Sequence, residues 1–288
     1  MRAGMKLPVL AAAIVVVVAG GCSSAPAARR PHLAGGGLTG YWTRSRLLGA
    51  KPLGLLGYRP GKQANARPAL LAVRVGALFV HDVGGDHYCT ASVVASPGRD
   101  LLITAAHCIN SGKGGSYRQD IVFVPGYRDG QAPFGMWTPA QLLVAPQWTS
   151  SSDPDFDVGF VVLKQDDGTN IEDVLGANQL GIDSGYRHLV RVTGYPASAD
   201  APITCSNWTS RQSAAQLRFE CGGFTGGTSG SPWVTHFDSR TRTGTIVGVI
   251  GGYQEGGSTP AISYSSYLGD AVQRLYRQAV ADEAAAAG

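Results

Sequence analysis

Residues 226–233 read Gly-Gly-Thr-Ser-Gly-Ser-Pro-Trp, and this stretch decides how the rest of the chain is interpreted. Glycines on both sides of Ser229 allow a tight turn, in which the serine side chain projects while backbone N–H groups converge on one point. A hydroxyl is a weak nucleophile at its own pKa. Acyl transfer by serine therefore needs a base, a group that orients the base, and donors for the developing oxyanion. The stretch predicts Ser229 as a nucleophile, and it implies that a histidine and an acid stand elsewhere in the chain.

Two further stretches supply candidates for both groups. Residues 102–108 read Leu-Ile-Thr-Ala-Ala-His-Cys, which sets His107 just after an apolar strand, among small residues. Residues 155–162 read Asp-Phe-Asp-Val-Gly-Phe-Val-Val, with acids at the start of a strongly β-forming run. Asp157 adjoins that run and is better placed for burial than Asp155, which is the main rival for the same role.

With these stretches in the order His, Asp, Ser, residues 68–280 resemble the trypsin-like (chymotrypsin-fold) serine endopeptidases of the bacterial secreted type. The triads of subtilisins and α/β-hydrolases run in other orders. The resemblance implies two antiparallel β-barrels with the active site in the cleft between them. It also implies His107 as general base and then acid, Asp157 as the group that orients its imidazole, and Ser229 as nucleophile. The backbone N–H groups of Gly227 and Ser229 would form the oxyanion hole.

The competing class of function is a non-catalytic binding or adhesion protein of the same fold. Such proteins usually lose a triad residue, whereas this chain has candidates for all three. Asp153, Asp155 and Asp157 also have the alternating spacing of a calcium loop. However, Val158 stands where that loop has Gly, and Lys164 stands where it has Glu. We therefore predict neither a metal site nor a cofactor.

Four of the five cysteines fit the same resemblance. It implies that Cys89 and Cys108 form a disulfide beside the catalytic histidine. Cys205 and Cys221 would form a second disulfide just upstream of the nucleophile. Four buried free thiols are the alternative, and they are not expected in an exported chain.

The residues around the predicted substrate pocket differ from those of well-known relatives. Gly223 stands where trypsin has the Asp that receives Arg or Lys, so cleavage after basic residues is not expected. Ile250 stands where glutamyl endopeptidases have a pocket histidine, which removes the main partner for Glu. We therefore expect a pocket for apolar or small side chains. Its predicted substrate-binding residues are Gly223, Thr225, Thr228, Ile250, Gly251 and Gly252.

The composition is typical of an all-β fold. Only 15% of the 288 residues are charged, while 40 are Gly and 16 are Pro, which indicates many turns between short strands. The net charge of +4 is too small and too scattered for a nucleic-acid-binding protein. Strands are predicted at 70–80, 87–95, 101–104, 121–124, 158–163, 189–192, 203–205, 217–221 and 244–250. One amphipathic helix is predicted near the C-terminus from apolar residues at helical spacing: Leu268, Ala271, Val272, Leu275, Tyr276 and Ala279.

The first 21 residues have the pattern of a secretory signal peptide, because positive charges precede an apolar stretch that is short for a bilayer span. Two cleavage sites compete. Residues 19–22 resemble a lipobox, in which Cys22 receives lipid and becomes the mature N-terminus. Residues 25–27 read Ala-Pro-Ala, which the ordinary signal peptidase would cut to release a soluble protein. Either site predicts an extracellular protein, secreted or anchored by lipid at the outer face of the cell membrane.

Composition also divides the rest of the chain. Residues 22–67 are predicted to be a flexible tether or a pro-segment, since they are rich in Gly, Pro and Ser. The protease domain is assigned to residues 68–280, and residues 281–288 form an Ala-rich tail. The expected partners are polypeptide substrates, and the protein is expected to be a monomer.

Overall fold

The structure is a computed structural model that describes residues 1, 38–53, 65–70 and 72–286. The chain divides into two units, residues 1–30 and 31–288, and every described helix and strand lies in the second unit. The predicted signal peptide, its cleavage sites and Cys22 lie outside the described residues. Within the described ranges, no helix is both long and apolar enough to cross a membrane.

Short strands alternate with turns along most of the second unit. The strands are β1 Lys51–Pro52, β2 Arg67–Pro68, β3 Val75–Asp82, β4 Gly85–Val93, β5 Leu101–Thr104, β6 Gln119–Pro125, β7 Pro139–Val144, β8 Gly159–Leu163, β9 Gln179–Leu180, β10 Leu189–Gly194, β11 Ile203–Arg211, β12 Gln216–Glu220, β13 Pro232–Asp238, β14 Thr243–Val249 and β15 Ile262–Ser266. The helices are α1 Leu38–Tyr41, α2 Arg44–Gly49, α3 Ala106–Ile109, α4 Pro146–Ser151, α5 Ile171–Leu175 and α6 Asp270–Ala286, and 3₁₀ turns cover Pro154–Phe156 and Tyr253–Gly256.

The strands form two sheets. The first has seven strands in the order β6-β3-β4-β5-β8-β7, with β1 paired to β4. The second has eight strands in the order β15-β12-β11-β10-β13-β14-β9, with β2 paired to β11. All pairings are antiparallel except those of β1 with β4 and of β9 with β14. The predicted fold class is confirmed: a mainly β chain with two sheets and a C-terminal helix.

Each sheet has its own apolar core, and a third core joins them. Leu78 and Trp137 are fully buried in the core of the first sheet, and Phe219 and Trp233 in that of the second. The third core combines residues of β8 with residues of β13, β14 and α6, among them Phe160. Because these apolar faces are removed from water together, the hydrophobic effect fixes the two sheets against each other.

The C-terminal helix docks on this third core through its apolar face. Val272 and Ala279 are buried there, as the helical spacing predicted. The Tyr276 hydroxyl donates to the Ala95 carbonyl over 2.9 Å. The helix continues through the alanines to residue 286.

Residues 38–53 lie on the first sheet. Thr43 caps α2, since its hydroxyl oxygen accepts a hydrogen bond from the Arg46 backbone N–H. Trp42 and Leu47 are buried in a core that includes Phe79. Strand β1 then runs parallel to β4, with Pro52 opposite Tyr88.

Candidate active site

His107 and Asp157 form a buried pair in the first half of the molecule. His107 lies on α3, one turn of helix that directly follows β5, and Asp157 lies between a 3₁₀ turn and β8. Since β5 and β8 are paired, the two residues meet at the same edge of the sheet. His107 Nδ1 is 2.8 Å from Asp157 Oδ2, and the His107 backbone N–H donates to Asp157 Oδ1 over 2.9 Å. These bonds hold the imidazole ring in one orientation.

Asp157, and not its rival Asp155, contacts the histidine. Asp157 is fully buried and accepts a third hydrogen bond, from the Gly252 N–H over 2.8 Å. Three N–H groups thus compensate the carboxylate oxygens for their removal from water. The Asp155 carboxylate accepts instead from the Gln216 side-chain amide over 2.7 Å. Of the two candidate acids, Asp157 is therefore the one that hydrogen-bonds to His107.

Two influences on His107 oppose each other. Burial lowers its pKa, whereas the charge of Asp157 and the hydrogen bond to it raise the pKa, and the second influence prevails. Glu255 adds to the rise and Arg118 subtracts from it. The net result is a histidine with a raised pKa, which is a stronger proton acceptor than an isolated imidazole.

The turn that carries Ser229 depends on its glycines. Gly227 has φ +89° and Gly230 has φ +83°, a region that residues with a Cβ rarely enter. A Cβ on Gly230 would lie 2.0 Å from the Thr90 carbonyl oxygen, and one on Gly227 would lie 2.4 Å from the Tyr88 ring. Both glycines are therefore required for the chain to approach β4 so closely.

The serine turn is attached to the histidine through a short series of contacts. The Thr90 N–H donates to the Ser229 carbonyl over 2.8 Å. Next to Thr90 stands Cys89, whose disulfide partner Cys108 follows His107. This disulfide and the second one, between Cys205 and Cys221, confirm the predicted pairing.

His107 Nε2 has no hydrogen-bond partner, although it is buried. The atom contacts no donor or acceptor among the residues that the structure describes, the Ser229 hydroxyl included. Ser229 itself is 5% exposed and lines a small pocket. The structure therefore brings His107 and Asp157 into hydrogen-bond contact. The turn that carries Ser229 approaches the chain just before His107, since a Cβ on Gly230 would lie 3.2 Å from the Ala105 backbone nitrogen. Hydrogen bonds between a nucleophile and its base are often long before substrate binds.

One of the two predicted oxyanion donors is already in use. The Gly227 N–H donates to the backbone carbonyl of Leu53 over 2.6 Å. The Ser229 N–H donates to none of the described residues. Leu53 belongs to the segment that precedes the predicted protease domain and lines the same pocket as His107. No sequence signal could have revealed this contact, since it joins two backbones.

The predicted substrate-binding residues fall into two groups. Thr225, Thr228 and Ile250 line the pocket beside Ser229, which has a volume of only about 50 Å³. Gly223, Gly251 and Gly252 do not line it. A Cβ on Gly251 would lie 3.1 Å from Asp157 Oδ2, so the Gly251-Gly252 pair makes room for the acid and hydrogen-bonds to it.

Sequence reasoning missed two polar groups around the site. Glu255 lines both the pocket beside Ser229 and the pocket beside His107. Arg118 donates to the His107 carbonyl through Nε and Nη2, over 3.2 and 3.1 Å, and pairs with Asp82. Glu255 has φ +53° without being glycine, so only the glycines around it could have indicated an unusual turn.

Among the described residues, one group has the proximity needed to hold a metal ion: Cys89, His107 and Cys108. Both sulfurs of that group are joined in a disulfide. A disulfide offers no thiolate, so the group lacks the ligands that a metal ion would need.

Comparison with solved structures shows what the chain is similar to. The protease Anisep from Arthrobacter nicotinovorans has 28% sequence identity and a TM-score of 0.68, and the alignment covers 75% of this chain and 99% of that one. A thermostable serine protease, AL20, from an extremophilic microorganism has 26% identity and a TM-score of 0.67, covering 73% of this chain and 98% of that one. A Glu endopeptidase with 16% identity and a TM-score of 0.60 shares the fold, over 76% of this chain and 98% of that one.

No protein-family model matches the chain, and no curated protein matches it. The structural comparison nevertheless agrees with the three sequence stretches. The resemblance that they carried is confirmed: this chain has the chymotrypsin fold, and the proteases Anisep and AL20 are among its structural neighbours.

Proposed function

We propose that this protein is a serine endopeptidase that hydrolyses peptide bonds through an acyl-enzyme intermediate. The observation that carries the proposal is the buried His107–Asp157 pair, whose Nε2 has no hydrogen-bond partner. The Ser229 turn packs against the chain just before His107, at Ala105. The proteases Anisep and AL20, above 25% identity, support the same class of activity.

In this proposal each group has its own role. Ser229 Oγ attacks the scissile carbonyl carbon, and its proton passes to His107 Nε2. Asp157 stabilises the imidazolium, while the N–H groups of Gly227 and Ser229 bind the oxyanion. His107 then gives the proton to the leaving amine, which breaks the C–N bond. A water molecule, deprotonated by the same Nε2, attacks the acyl-enzyme, and Ser229 Oγ takes the proton back.

The small pocket supports a preference for small or apolar side chains before the scissile bond. Its volume is only about 50 Å³, and its lining residues, Glu255 among them, offer no positive charge to a substrate carboxylate. Cleavage of a random peptide library by the protein would reveal this preference directly. Frequent cleavage after Glu, Lys or Arg would contradict it.

A fluorophosphonate probe tests the catalytic assignment. We expect covalent labelling of the full chain, and of a Leu53→Pro variant with a loosened Gly227 contact, with the added mass on Ser229. Ser229→Ala should remove the labelling, and Asp157→Asn should lower kcat by about 10⁴-fold while the fold is retained. A folded wild type and a folded Leu53→Pro variant that both resist the probe would exclude the proposal.

Export is part of the proposal. Two disulfides support an oxidising compartment and hence an extracellular protein. We propose that the mature chain is extracellular, either held at the outer face of the membrane by a lipidated Cys22 or secreted with an N-terminus at Ala28, and that it acts as a monomer on polypeptide substrates. Intact-mass analysis of the exported protein distinguishes a diacylglyceryl group on Cys22 from an N-terminus at Ala28.

A further inference from the structure

We propose that residues 38–53 are an intramolecular inhibitor, which occupies the active site until the segment is displaced. This inference rests on the proposed function, because the blocked group is one of the predicted oxyanion donors. The Leu53 carbonyl accepts the Gly227 N–H over 2.6 Å, and the Leu53 N–H donates to the Tyr88 carbonyl over 3.0 Å. Leu53 is thus held by two backbone hydrogen bonds.

Apolar anchors keep the segment in this position. Trp42 is 1% exposed, its ring lies 5.3 Å from the Phe79 ring, and its indole N–H donates to the Asp120 carbonyl. Leu47 is 4% exposed in the same core. A buried Trp and a buried Leu are strong anchors, since both lose most of their contact with water when the segment docks.

A polar cluster adds a second anchor on the same face. Arg46 Nη2 lies 2.9 Å from Asp86 Oδ2, and the Tyr41 hydroxyl donates to Asp86 Oδ1 over 2.8 Å. The Arg46 guanidinium lies 3.8 Å from the centre of the Tyr41 ring. Apolar and polar contacts therefore both hold the segment upstream of Leu53 to the body.

The consequence for catalysis follows from competition for one donor. A substrate carbonyl can use the Gly227 N–H only after the Leu53 carbonyl has left it. The pairing of β1 with β4 places that carbonyl in register, so the segment behaves like a bound extended peptide. Displacement of the segment, by cleavage or by a competing chain, then raises activity.

Activity measurements on the full chain test the inhibitor. Trp42→Ala removes the main anchor, and Leu53→Pro removes the N–H that donates to Tyr88. We expect kcat/KM on a small peptide ester, and the rate of fluorophosphonate labelling, to rise about tenfold or more in both variants. Trp137→Ala is the matched control, since Trp137 is 2% exposed in the first core, outside the segment. Equal rates in wild type, Trp42→Ala and Leu53→Pro would overturn the inhibitor and leave the protease proposal standing.

A second readout does not depend on activity. Amide hydrogen exchange at Gly227, followed by NMR on glycine-labelled protein, reports the hydrogen bond to Leu53 itself. We expect protection in the wild type and faster exchange in Leu53→Pro, and also in Trp42→Ala. An unprotected Gly227 in the wild type would refute the block even if the protein were not a protease.

A different observation carries a second, independent proposal. Four arginines, Arg67, Arg74, Arg191 and Arg242, line one cavity of about 310 Å³. None of the cavity's lining residues lines the pockets beside Ser229 and His107. We infer that this cavity, here called the arginine groove, binds a small oxyanion that carries two or more negative charges.

The arginines have no acidic partners in the described part of the chain. No Asp or Glu lines the arginine groove, and none of the four guanidinium groups forms a described ion pair. Arg74 Nε is buried and lacks a hydrogen-bond partner, while Arg74 Nη1 donates to the Arg242 carbonyl over 3.2 Å. Arg191 lies over the Phe237 ring, 4.1 Å from its centre, which fixes the direction of its guanidinium fork.

Like charges held together disfavour their own ionised forms. Burial, and then the charge of Arg242, lowers the pKa of Arg74. Burial, and then the charges of Arg67 and Arg242, lowers the pKa of Arg191. A bound oxyanion would offset this repulsion and supply acceptors for the unpaired N–H groups, because guanidinium forks match phosphate and carboxylate geometry.

Calorimetric titration at low salt tests whether the arginine groove binds anions. Pyrophosphate is the probe for phosphate groups, and citrate is the probe for carboxylate groups. We expect saturable binding of at least one probe, weakened about tenfold or more by Arg191→Gln. Arg240→Gln is the matched control, since Arg240 is exposed, pairs with Asp238 and does not line the groove. Absence of saturable binding, or equal weakening by both substitutions, would overturn the proposal.

Discussion

At the scale of single residues, Glu255 is the least expected member of the site. It stands in the 3₁₀ turn Tyr253–Gly256 with φ +53°, exposed to solvent but directed at both pockets. Its charge helps to raise the pKa of His107. The turn thus adds a second carboxylate, besides that of Asp157, to the electrostatic surroundings of His107.

We predict that Glu255→Gln lowers the pKa of His107. A proton acceptor must be deprotonated, so activity is lost as the pH falls through the pKa of His107. Removing a negative charge therefore shifts the acid limb of the profile of kcat/KM against pH to lower pH. Because Glu255 is exposed, high salt should shrink the difference.

Asp167→Asn provides the control for that substitution. Asp167 is also exposed with positive φ, at +50°, but it lies in another turn. The acid limb of kcat/KM against pH in Asp167→Asn should coincide with that of the wild type. If the acid limb of the Glu255→Gln profile coincided with that of the wild type, Glu255 would have no effect on the pKa of His107.

The three residues of the proposed triad are also the ones that sequence alone could indicate. His107, Asp157 and Ser229 stand in short stretches whose neighbours are restricted by the chemistry. Leu53 and Glu255 carry no such signature, because one acts through its backbone and the other through its place in an irregular turn.

At the scale of elements, the docking of α6 depends on one buried acid. Glu283 is 4% exposed, and its Oε1 accepts from the Ser96 hydroxyl over 2.6 Å and from the Asp100 N–H over 3.0 Å. Burial raises the pKa of the neighbouring Asp100 to about 6, against a hydrogen bond from the Ile171 N–H, and the charge of Glu283 adds to the rise. The carboxyl groups of Asp100 and Glu283 therefore lie close together near the C-terminal end of α6.

This pair predicts a pH dependence of stability. The folded state binds a proton at Asp100 up to a pH of about 6, whereas the unfolded chain releases it near its ordinary pKa. The contribution of Asp100 to stability thus falls as the pH rises through this window. We expect Asp100→Asn to have a smaller difference in Tm between pH 5 and pH 7.5 than the wild type.

The exposed Asp129 supplies the comparison. Asp129→Asn should keep the wild-type dependence of Tm on pH. If Asp100→Asn kept it as well, the buried carboxyl would be ionised at both pH values.

Periodicity predicted α6 but missed several strands. Strands β7 and β13 begin at Pro139 and Pro232, and proline is a signal against a strand because it cannot donate to a sheet. Strand β15 reads Ile-Ser-Tyr-Ser-Ser, and its serines are buried by neighbours that are distant in sequence. Local pattern cannot show that environment.

At the scale of the whole molecule, each sheet contains one disulfide, and the two have different surroundings. Cys89–Cys108 lies beside His107, within the core of the first sheet. Cys205–Cys221 joins β11 to the end of β12 in the second sheet, with a sequence separation of 16. Unlike Cys108, neither Cys205 nor Cys221 is adjacent to His107 in the chain, so removal of the second disulfide changes no residue next to His107.

We predict that Cys205→Ser combined with Cys221→Ser lowers the free energy of unfolding by about 3 kcal/mol, since the unfolded chain regains the freedom of the closed loop. Urea unfolding measures the change, and the labelling rate of Ser229 should stay close to that of the wild type. The matched pair, Cys89→Ser with Cys108→Ser, should lower both stability and labelling. If both pairs of substitutions changed the labelling rate equally, the two disulfides would not differ in their effect on the active site.

The predicted fold and the two predicted disulfides are confirmed, because the short stretches around His107, Asp157 and Ser229 carry the resemblance that implied both. The arginine groove leaves no local trace: Arg67, Arg74, Arg191 and Arg242 come from separate turns and strands. Only the folded chain brings these four charges together.

The bond between Leu53 and Gly227 joins two parts of one polypeptide, so it is independent of protein concentration. A tethered ligand of this kind acts at an effective concentration that reaches the millimolar range. Cutting the chain downstream of Leu53 would convert the block into an ordinary bimolecular equilibrium. Dilution into the extracellular medium would then release the inhibitor by mass action, whereas confinement at a membrane surface would slow its escape.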